Sequence, residues 1–257
     1  MTPIALTIAG SDPSGGAGIQ ADLKTFHRFG VYGEAVVTLL TVQNTRSVSR
    51  VEVLDARLVI EQIEAVIADI PPMAAKTGAL GSSELIFALA ERAASFDFPL
   101  VLDPVMISKH GMRLVPDAAI NAIRDNLLPT AYLVTPNLFE AAVLTGRSVE
   151  TVEQMRDAAS MLVDLGARAA LVKGGHLNGE PVDVLMDGEQ IHYYRARRVD
   201  TPHTHGAGCT YSAAITALLA TGLSLSTAVR NAKEFVTRAI DLNPGLGGGA
   251  GPLNHWA

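Results

Sequence analysis

The segment with the clearest chemical potential is residues 204–210, which read Thr-His-Gly-Ala-Gly-Cys-Thr and precede a stretch without charged residues. This pattern predicts glycines leading into the start of a helix, where free N–H groups and the helix dipole favour a bound anion. Such a site suits the charge that develops on a phosphoryl group during transfer. Gly206, Ala207, Gly208 and Cys209 are therefore candidate catalytic residues.

Cys209 is the only cysteine of the chain and falls in the first turn of this predicted helix. A thiol at a helix N-terminus has a lowered pKa, because the dipole favours the thiolate. The sequence therefore predicts a pKa for Cys209 below the free value of about 8.5, and fast alkylation near neutral pH. The alternative interpretation is a small buried side chain without a chemical role.

Two further clusters combine polar side chains with turn residues. Asn137 and Glu140 have the spacing of a capping box, and the same pair could organise Mg²⁺ and its waters beside phosphates. The two interpretations are compatible, because a capped helix start holds both side chains in fixed places. Lys173 precedes two glycines, which is typical either of an ordinary turn or of a lysine that approaches a triphosphate.

Residues 10–18, which read Gly-Ser-Asp-Pro-Ser-Gly-Gly-Ala-Gly, join the first predicted strand to the first predicted helix. Gly16, Gly18 and Ala21 match the dinucleotide pattern G-x-G-x-x-A, but Gln43 stands after the second strand, where a ribose-binding acid would be expected. The chain contains no G-x-x-x-x-G-K-[ST] motif. We interpret the loop as a close approach of backbone to a small ligand, with a simple packing turn as the alternative.

His203 and His205 are spaced like a metal-binding pair. Only Cys209 accompanies them at ligand spacing, which is too few ligands for a structural zinc. We therefore interpret the two histidines as polar groups of a loop.

The elements that must position these residues are short apolar runs alternating with helical patterns. The predicted strands are residues 4–9, 34–42, 74–77, 100–102, 131–134 and 169–172, and the predicted helices are residues 17–29, 58–70, 83–94, 207–220 and 225–241. An edge hairpin is expected around residues 183–197. This alternation predicts an α/β fold, a three-layer αβα sandwich with a mostly parallel central sheet, in a single domain spanning residues 1–257. Ligands bind beyond the carboxyl ends of such strands, where the polar clusters fall.

Composition excludes several classes of protein. The 257 residues are 48% hydrophobic and 18% charged, and 20 Lys+Arg against 26 Asp+Glu give a net charge of −6. A general binder of nucleic acid or of anionic membranes is not expected, because no summed positive field would attract phosphate polymers. One cysteine excludes an intrachain disulfide, and the N-terminus has no basic region typical of a secretory signal. We expect a cytoplasmic protein.

Taken together and in this order, the motifs resemble the ribokinase superfamily, and more narrowly the hydroxymethylpyrimidine/phosphomethylpyrimidine kinases of thiamine biosynthesis. The residues that carry the resemblance are 9–22, 42–45, 103–106, 135–140, 173–176, 204–209 and 251–252. The resemblance implies a ribokinase-like domain, often a homodimer, that uses ATP and Mg²⁺. It implies phosphorylation of 4-amino-5-hydroxymethyl-2-methylpyrimidine and then of its monophosphate to the diphosphate. No appended thiamine-phosphate synthase domain is expected.

The same resemblance implies roles for individual residues. Cys209 would take the proton of the substrate hydroxymethyl group, while the N–H groups of residues 206–209 hold the transferring phosphate. The residues implied in ATP binding are Lys173, Asp103 and Thr204, and those implied in Mg²⁺ binding, through water, are Asn137 and Glu140. The pyrimidine pocket would be lined by Gln43, Asp22, Gly10, Val105 and Ala79. The amide of Gln43 offers an acceptor and a donor, which complement the amino group and ring nitrogen of an aminopyrimidine.

Two positions depart from the family pattern: Ala79 stands where methionine is common, and Ala207 where threonine is commoner. The runner-up function is a pyridoxal kinase, but residues 108–113 lack the cysteine that dual-specificity relatives carry there. An NAD(P)-dependent dehydrogenase and a pyrimidine-binding protein without activity are two more candidate functions. Gln43 in place of an acid counts against the dehydrogenase, and the presence of Cys209 and Lys173 counts against the inactive binding protein.

Overall fold

The computed structural model describes residues 2–108, 111–177 and 179–257. Its strands are β1 (Ile4–Ser11), β2 (Tyr32–Gln43), β3 (Val48–Val53), β4 (Ala74–Thr77), β5 (Leu100–Leu102), β6 (Leu133–Val134), β7 (Ala169–Val172), β8 (Val182–Asp187) and β9 (Gln190–Arg195). Within the described residues they form one sheet in the order β3-β2-β1-β4-β5-β6-β7-β8-β9. The strands from β2 to β7 in that order run parallel, whereas β3, β8 and β9 pair antiparallel at the two edges.

Helices cover both faces of this sheet. They are α1 (Gly18–Arg28), α2 (Ala56–Asp69), α3 (Ser83–Ala93), α4 (Asp117–Ala122), α5 (Leu138–Thr145), α6 (Val152–Asp164), α7 (Ala207–Ala220) and α8 (Leu225–Asp241). Helices α2 to α6 contribute to one apolar core, which includes Ile63, Leu89 and Leu162. The opposite face is covered by α1, α7 and α8, with Ile215 and Phe235 in their core. The predicted three-layer α/β fold is confirmed.

Local sequence explains where several helices begin. The side chains of Asp55 and Ser82 accept hydrogen bonds from the first turns of α2 and α3. Both α5 and α6 begin with a complete capping box, in which Asn137 and Thr151 are the N-cap residues. Gly146 ends α5 with φ 68°, a left-handed conformation that glycine adopts without steric cost.

The parallel strands are apolar because the sheet is covered on both faces. β4, β5, β6 and β7 are buried at every position. Lys76 is the one charged residue in these four buried strands, and its side chain has no exposed surface. A fully buried lysine needs a charged or hydrogen-bonding partner, and this requirement marks the carboxyl end of β4 as a place of polar contacts.

The predicted strands and helices are present, with shifts of a few residues at their ends, and the hairpin of β8 and β9 pairs around Asp187 as expected. The antiparallel strand β3 was not predicted, although its Val-Ser-Arg-Val-Glu-Val sequence partly alternates. Helices α4, α5 and α6 were also missed as full elements. No helix among residues 2–108, 111–177 and 179–257 is long and apolar enough to cross a membrane.

Candidate active site

Polar residues gather where six neighbouring parallel strands end. In the order of the strands across the sheet they are Gln43, Asp12, Lys76, Asp103, Thr135 and Lys173. Because these strands are parallel and adjacent, their carboxyl ends share one edge of the sheet. The prediction that the polar clusters lie at the same edge is confirmed.

Two glycine-rich loops pack backbone against backbone at this edge. Gly206, which precedes α7, has φ 80°, and a β-carbon there would collide with the carbonyl group of Gly16. Gly18, the first residue of α1, has φ 56°, and a β-carbon there would collide with the carbonyl group of Gly10. The glycines therefore allow the N-termini of two helices to approach the same place. The predicted glycine-led helix start is present, because α7 begins at Ala207.

Cys209 lies where the two helix starts meet, and its side chain is partly exposed. Burial raises the pKa of its thiol to about 11, against the opposing influence of the Lys76 ammonium. The carboxylates of Asp22 and Asp103 raise this pKa further, whereas a hydrogen bond from the N–H of Gly18 lowers it. The predicted low pKa is therefore wrong, because desolvation of the thiolate outweighs the helix dipole.

Lys76 and Asp22 form a fully buried ion pair beneath Cys209. Lys76 Nζ lies 2.8 Å from Asp22 Oδ2, which also accepts a hydrogen bond of 2.6 Å from Thr7 Oγ1. Burial opposes the charge of Lys76, yet the neighbouring acids, Asp22 first, raise its pKa above the usual value. Burial raises the pKa of Asp22 in spite of Lys76, and Asp22 Oδ1 has no hydrogen-bond partner within the described chain. Lys76 was missed as a site residue, although its place in an apolar strand could have signalled it.

Asp103 and Lys173 form a second ion pair beside the start of α7. Lys173 Nζ lies 3.0 Å from Asp103 Oδ1, and Ser212 of α7 donates to Asp103 Oδ2 at 3.1 Å. A β-carbon on Gly208 would lie 3.3 Å from Lys173 Nζ, so the ammonium borders the first turn of the helix. Burial opposes the charge of Lys173, but Asp103 and Glu140 raise its pKa. The protein thus holds a permanent cation at its candidate anion site.

Asn137 and Glu140 form the capping box that their spacing predicts. Glu140 N–H donates to Asn137 Oδ1 at 2.9 Å, and Asn137 N–H donates to Glu140 Oε2 at 2.8 Å. Glu140 is nevertheless buried, and burial raises its pKa to about 7 against the attraction of Lys173. The capping interpretation is confirmed, and it leaves a carboxyl group near Lys173 that is poised between two protonation states.

Gln43, at the end of β2, is joined to the opposite loops. Its amide nitrogen lies 3.1 Å from His205 Nε2, and His205 Nε2 lies 2.8 Å from Asp12 Oδ2. Asp12 also accepts hydrogen bonds from the backbone of Ser14 and Ala17, so it organises the glycine-rich loop before α1. Hydrogen bonds with His205 and Ser14 hold the pKa of Asp12 below its usual value, although burial opposes this. Neither Asp12 nor His205 was predicted as a site residue.

The remaining predicted residues lie around the same edge. Val105, Ala79 and Thr204 are partly exposed, while Gly10 is buried. The carbonyl group of Ala79 accepts a hydrogen bond of 2.6 Å from Thr38 Oγ1, which fixes the strand end beside β2. Among the residues that the structure describes, no three His, Cys, Asp or Glu side chains form a group that could hold a metal ion directly.

Two further features are a loop segment and a surface concavity. The segment 108–113, in which no cysteine was found, includes Lys109 and His110, which lie outside the described residues. A concavity of about 630 Å³ lies at the opposite, amino-terminal edge of the sheet, between residues such as Phe98, Tyr132 and Leu223. It does not touch the glycine-rich loops, so its size does not make it the candidate active site.

Comparison with known proteins gives this geometry a family. The family model described as phosphomethylpyrimidine kinase matches residues 12–254. The chain belongs to this family. The hydroxymethylpyrimidine/phosphomethylpyrimidine kinase of Streptomyces coelicolor is 49% identical over 99% of this chain and 95% of its own length. The predicted family and the predicted enzyme class, a phosphotransferase, are confirmed.

Two solved structures resemble this member of the phosphomethylpyrimidine kinase family over most of its length. The Bacillus subtilis pyridoxal kinase, solved as an ADP complex, is 40% identical with a TM-score of 0.92, covering 99% of this chain and 98% of its own. The phosphomethylpyrimidine kinase of Clostridium difficile is 44% identical with a TM-score of 0.82, covering 92% of this chain and 99% of its own. Kinases named for either substrate therefore share this fold.

Proposed function

We propose that this protein transfers a phosphoryl group from ATP to the hydroxymethyl group of 4-amino-5-hydroxymethyl-2-methylpyrimidine, and then to the resulting monophosphate, in thiamine biosynthesis. The observation that carries the proposal is the convergence at Cys209. On one side of Cys209 lie Lys173 and the start of α7, which suit phosphates. Gln43, whose amide suits an aminopyrimidine, contacts His205, which directly precedes the same glycine-led helix start. A single domain over residues 1–257 would perform both steps.

The phosphate end of the site consists of fixed positive groups. Lys173 would contact the phosphates of ATP, with Asp103 holding its ammonium in place and Thr204 lying at the entrance to the loop. The N–H groups of residues 206–209 would receive the transferring phosphoryl group at the start of α7. Phosphoryl transfer requires positioning and charge stabilisation more than covalent chemistry, and these groups supply both.

The acidic residues around Lys173 fit Mg²⁺ that is held mainly through water. Asp103 and Glu140 place two buried carboxyl groups near one ammonium, and burial, with a smaller influence of Asp103, raises the pKa of Glu140 to about 7 against the attraction of Lys173. Asn137 and Glu140, fixed by their capping box, would order waters of the metal rather than displace them. Bound Mg²⁺ would neutralise charge on the ATP phosphates.

The pyrimidine end of the site combines apolar walls with a polar floor. Gln43 would read the amino group and the adjacent ring nitrogen, while Val105 and Ala79 provide partly exposed apolar walls. At Gly10, a β-carbon would lie 2.5 Å from Leu39 Cδ1, so glycine avoids a steric conflict with Leu39. Asp22 Oδ1, which has no hydrogen-bond partner within the described chain, gives the buried floor one acceptor for a donor group of the bound pyrimidine.

Cys209 would accept the proton of the substrate hydroxyl group. A pKa of about 11 leaves the thiol mostly protonated at neutral pH, so only a small thiolate fraction is available as base. The groups that favour this thiolate are the ammonium of Lys76 and the N–H of Gly18. Because the thiolate fraction rises as the pH approaches a pKa of about 11, the rate of turnover should rise with pH above neutrality.

Incubation of the protein with Mg²⁺, ATP and 4-amino-5-hydroxymethyl-2-methylpyrimidine tests the proposal. ADP and the pyrimidine monophosphate should form first, followed by the diphosphate. A parallel incubation with pyridoxal tests the alternative function, for which the fold similarity to a pyridoxal kinase is the supporting observation. Formation of pyridoxal phosphate without pyrimidine phosphates would overturn the proposal in favour of that alternative.

A homodimer belongs to the same proposal. Leu40 and Val42, on one face of the β2–β3 hairpin at the edge of the sheet, are 47% and 58% exposed. Apolar side chains on an edge hairpin favour burial against a second copy of the chain. Val42→Glu should convert the dimer to a monomer in light scattering, whereas a wild-type protein that is monomeric at micromolar concentration would contradict this assembly.

The proposed use of ATP also favours a cytoplasmic location for this protein.

A further inference from the structure

His205 occupies a position where four segments of the chain meet. Its ring is buried, and a β-carbon on Gly16 would lie 2.5 Å from its Cδ2 atom and 3.2 Å from Pro252 Cβ. Its backbone N–H donates to the carbonyl group of Gly251 at 3.1 Å. The next residue, Gly206, begins the anion site, and the ring itself reaches Gln43. A ring held this tightly can serve as a fixed reference for a neighbouring side chain.

The contact with Asp12 determines where a proton sits on this ring. His205 Nε2 lies 2.8 Å from Asp12 Oδ2, and a lone pair on Nε2 would repel the carboxylate at that distance. Nε2 therefore carries the proton. The one proton of Nε2 is directed at Asp12, so an amide nitrogen of Gln43 at 3.1 Å would place a donor against a donor. The amide oxygen at that position can instead share the proton in a three-centre hydrogen bond, which favours the oxygen over the nitrogen.

The other end of the Gln43 amide agrees with this orientation. Thr41 Oγ1 lies 3.3 Å from the second polar atom of the amide and donates its own proton to the carbonyl group of Ser11 at 2.9 Å. Thr41 Oγ1 can therefore accept a hydrogen bond from Gln43 but has no second proton to donate. Rotation of the amide by 180° removes the contact between two donors at His205 and gives Thr41 Oγ1 a donor.

We propose that His205 fixes which end of the Gln43 amide accepts and which donates, and thereby selects 4-aminopyrimidines over 4-oxopyrimidines. The inference rests on the proposed contact between Gln43 and the pyrimidine. A 4-aminopyrimidine presents a donor beside a ring-nitrogen acceptor, whereas a 4-oxopyrimidine presents an acceptor beside a ring N–H donor. Because the hydroxymethyl group must face the anion site, the ring cannot turn over to compensate. An amide that is free to rotate would accept both rings.

The test compares kcat/KM for 4-amino-5-hydroxymethyl-2-methylpyrimidine with that for its 4-oxo analogue. His205→Phe keeps a ring between Gly16 and Pro252 but removes the proton that orients the amide. The selectivity ratio should fall about tenfold or more, since a polar mismatch accounts for much larger ratios where an enzyme is built around it. His205→Gln, which restores a side-chain donor, should recover part of the ratio.

Matched variants separate this effect from general damage. His203→Phe makes the same change two residues earlier, at a ring that accepts a hydrogen bond from Gly251 N–H, and should keep the wild-type ratio. Thr41→Val removes the partner at the other end of the amide and should lower the ratio even where His205→Phe does not fold. An unchanged ratio in a folded His205→Phe protein would overturn the inference. If His205→Phe does not fold, an unchanged ratio in Thr41→Val would overturn it.

The Gln43→Ala variant distinguishes failure of this inference from failure of the proposed function. If Gln43→Ala lowers the ratio and a folded His205→Phe protein does not, Gln43 reads the pyrimidine without direction from His205, and only the inference is wrong. If Gln43→Ala leaves kcat/KM for both pyrimidines unchanged, the proposed contact itself is wrong, and the inference falls with it.

Discussion

Alkylation of Cys209 by iodoacetamide should be slow at neutral pH and should accelerate about tenfold for each pH unit between 7 and 10. The pKa of about 11 leaves about one thiol in ten thousand ionised at pH 7. Since the thiolate is the reacting species, the rate should rise about a thousandfold over this range. Cys209 is the only cysteine, so mass spectrometry of the intact protein measures the modification of one site.

The sign of the prediction follows from burial. Desolvation disfavours the charged form of a thiol, and the ammonium of Lys76 compensates only in part. Replacement of Lys76 and Asp22 together, as Lys76→Met with Asp22→Asn, removes that ammonium without leaving an unpaired buried charge. It also removes Asp22, whose carboxylate raises the same pKa more weakly, so the net change should be a further slowing.

Free cysteine under the same conditions provides the control, because its alkylation rate should level off near its pKa of about 8.5. If the rate for Cys209 levels off below pH 9, the helix dipole and Lys76 outweigh burial, and the reasoning from desolvation is refuted.

In the catalytic counterpart of this experiment, Cys209→Ala should reduce turnover about 10²–10⁴-fold if the thiolate is the base. A loss within about threefold would leave catalysis to the anion site and Mg²⁺.

Three further perturbations follow from the site. Gln43→Ala should raise the KM for the pyrimidine by about 10–100-fold and leave that for ATP unchanged, because a two-point amide contact is worth about 1–3 kcal/mol; an equal rise in both constants would contradict a role confined to the pyrimidine. Glu140→Gln keeps a residue suited to the capping box, so the melting temperature should not change. The Mg²⁺ titration of turnover should shift if Glu140 acts toward the metal, whereas an unchanged titration would leave Glu140 as a helix cap only. Lys76→Met should destabilise the fold by about 3–5 kcal/mol in urea unfolding, because it leaves Asp22 buried without its partner, and the double variant with Asp22→Asn should recover much of this loss. A single variant as stable as wild type would show that Asp22 is neutral in the folded protein.

The order of the strands and helices, and the starts of two site helices, depend on local sequence and could be predicted. The order of strands and helices follows from hydrophobic periodicity, and the start of α5 follows from the spacing of Asn137 and Glu140. The glycines before α7 indicated a helix start, and α7 begins directly after Gly206. These features depend on residues close together in the chain, for which short-range sterics and hydrogen bonding are sufficient. The implied ligand contacts of the individual site residues stay predictions.

The edge strand β3 and the helices α4 to α6 were harder to predict for a physical reason. β3 is held by pairing with β2, and its partly exposed alternation gives a weak signal without that partner. The helices on that face take much of their stability from one shared apolar core, which includes Leu144 and Met155. Periodicity is a weak guide where tertiary packing, rather than local propensity, stabilises an element.

The sequence by itself determined the fold class, the edge of the sheet where chemistry can occur, and the residue types available there. Only the tertiary structure decided how these groups act on one another. It buried Lys76 against Asp22, raised the pKa of Cys209 instead of lowering it, and brought His205 against Gln43 across 162 positions of the chain. Desolvation and the direction of a hydrogen bond depend on neighbours that are distant in sequence, so no local pattern contains them.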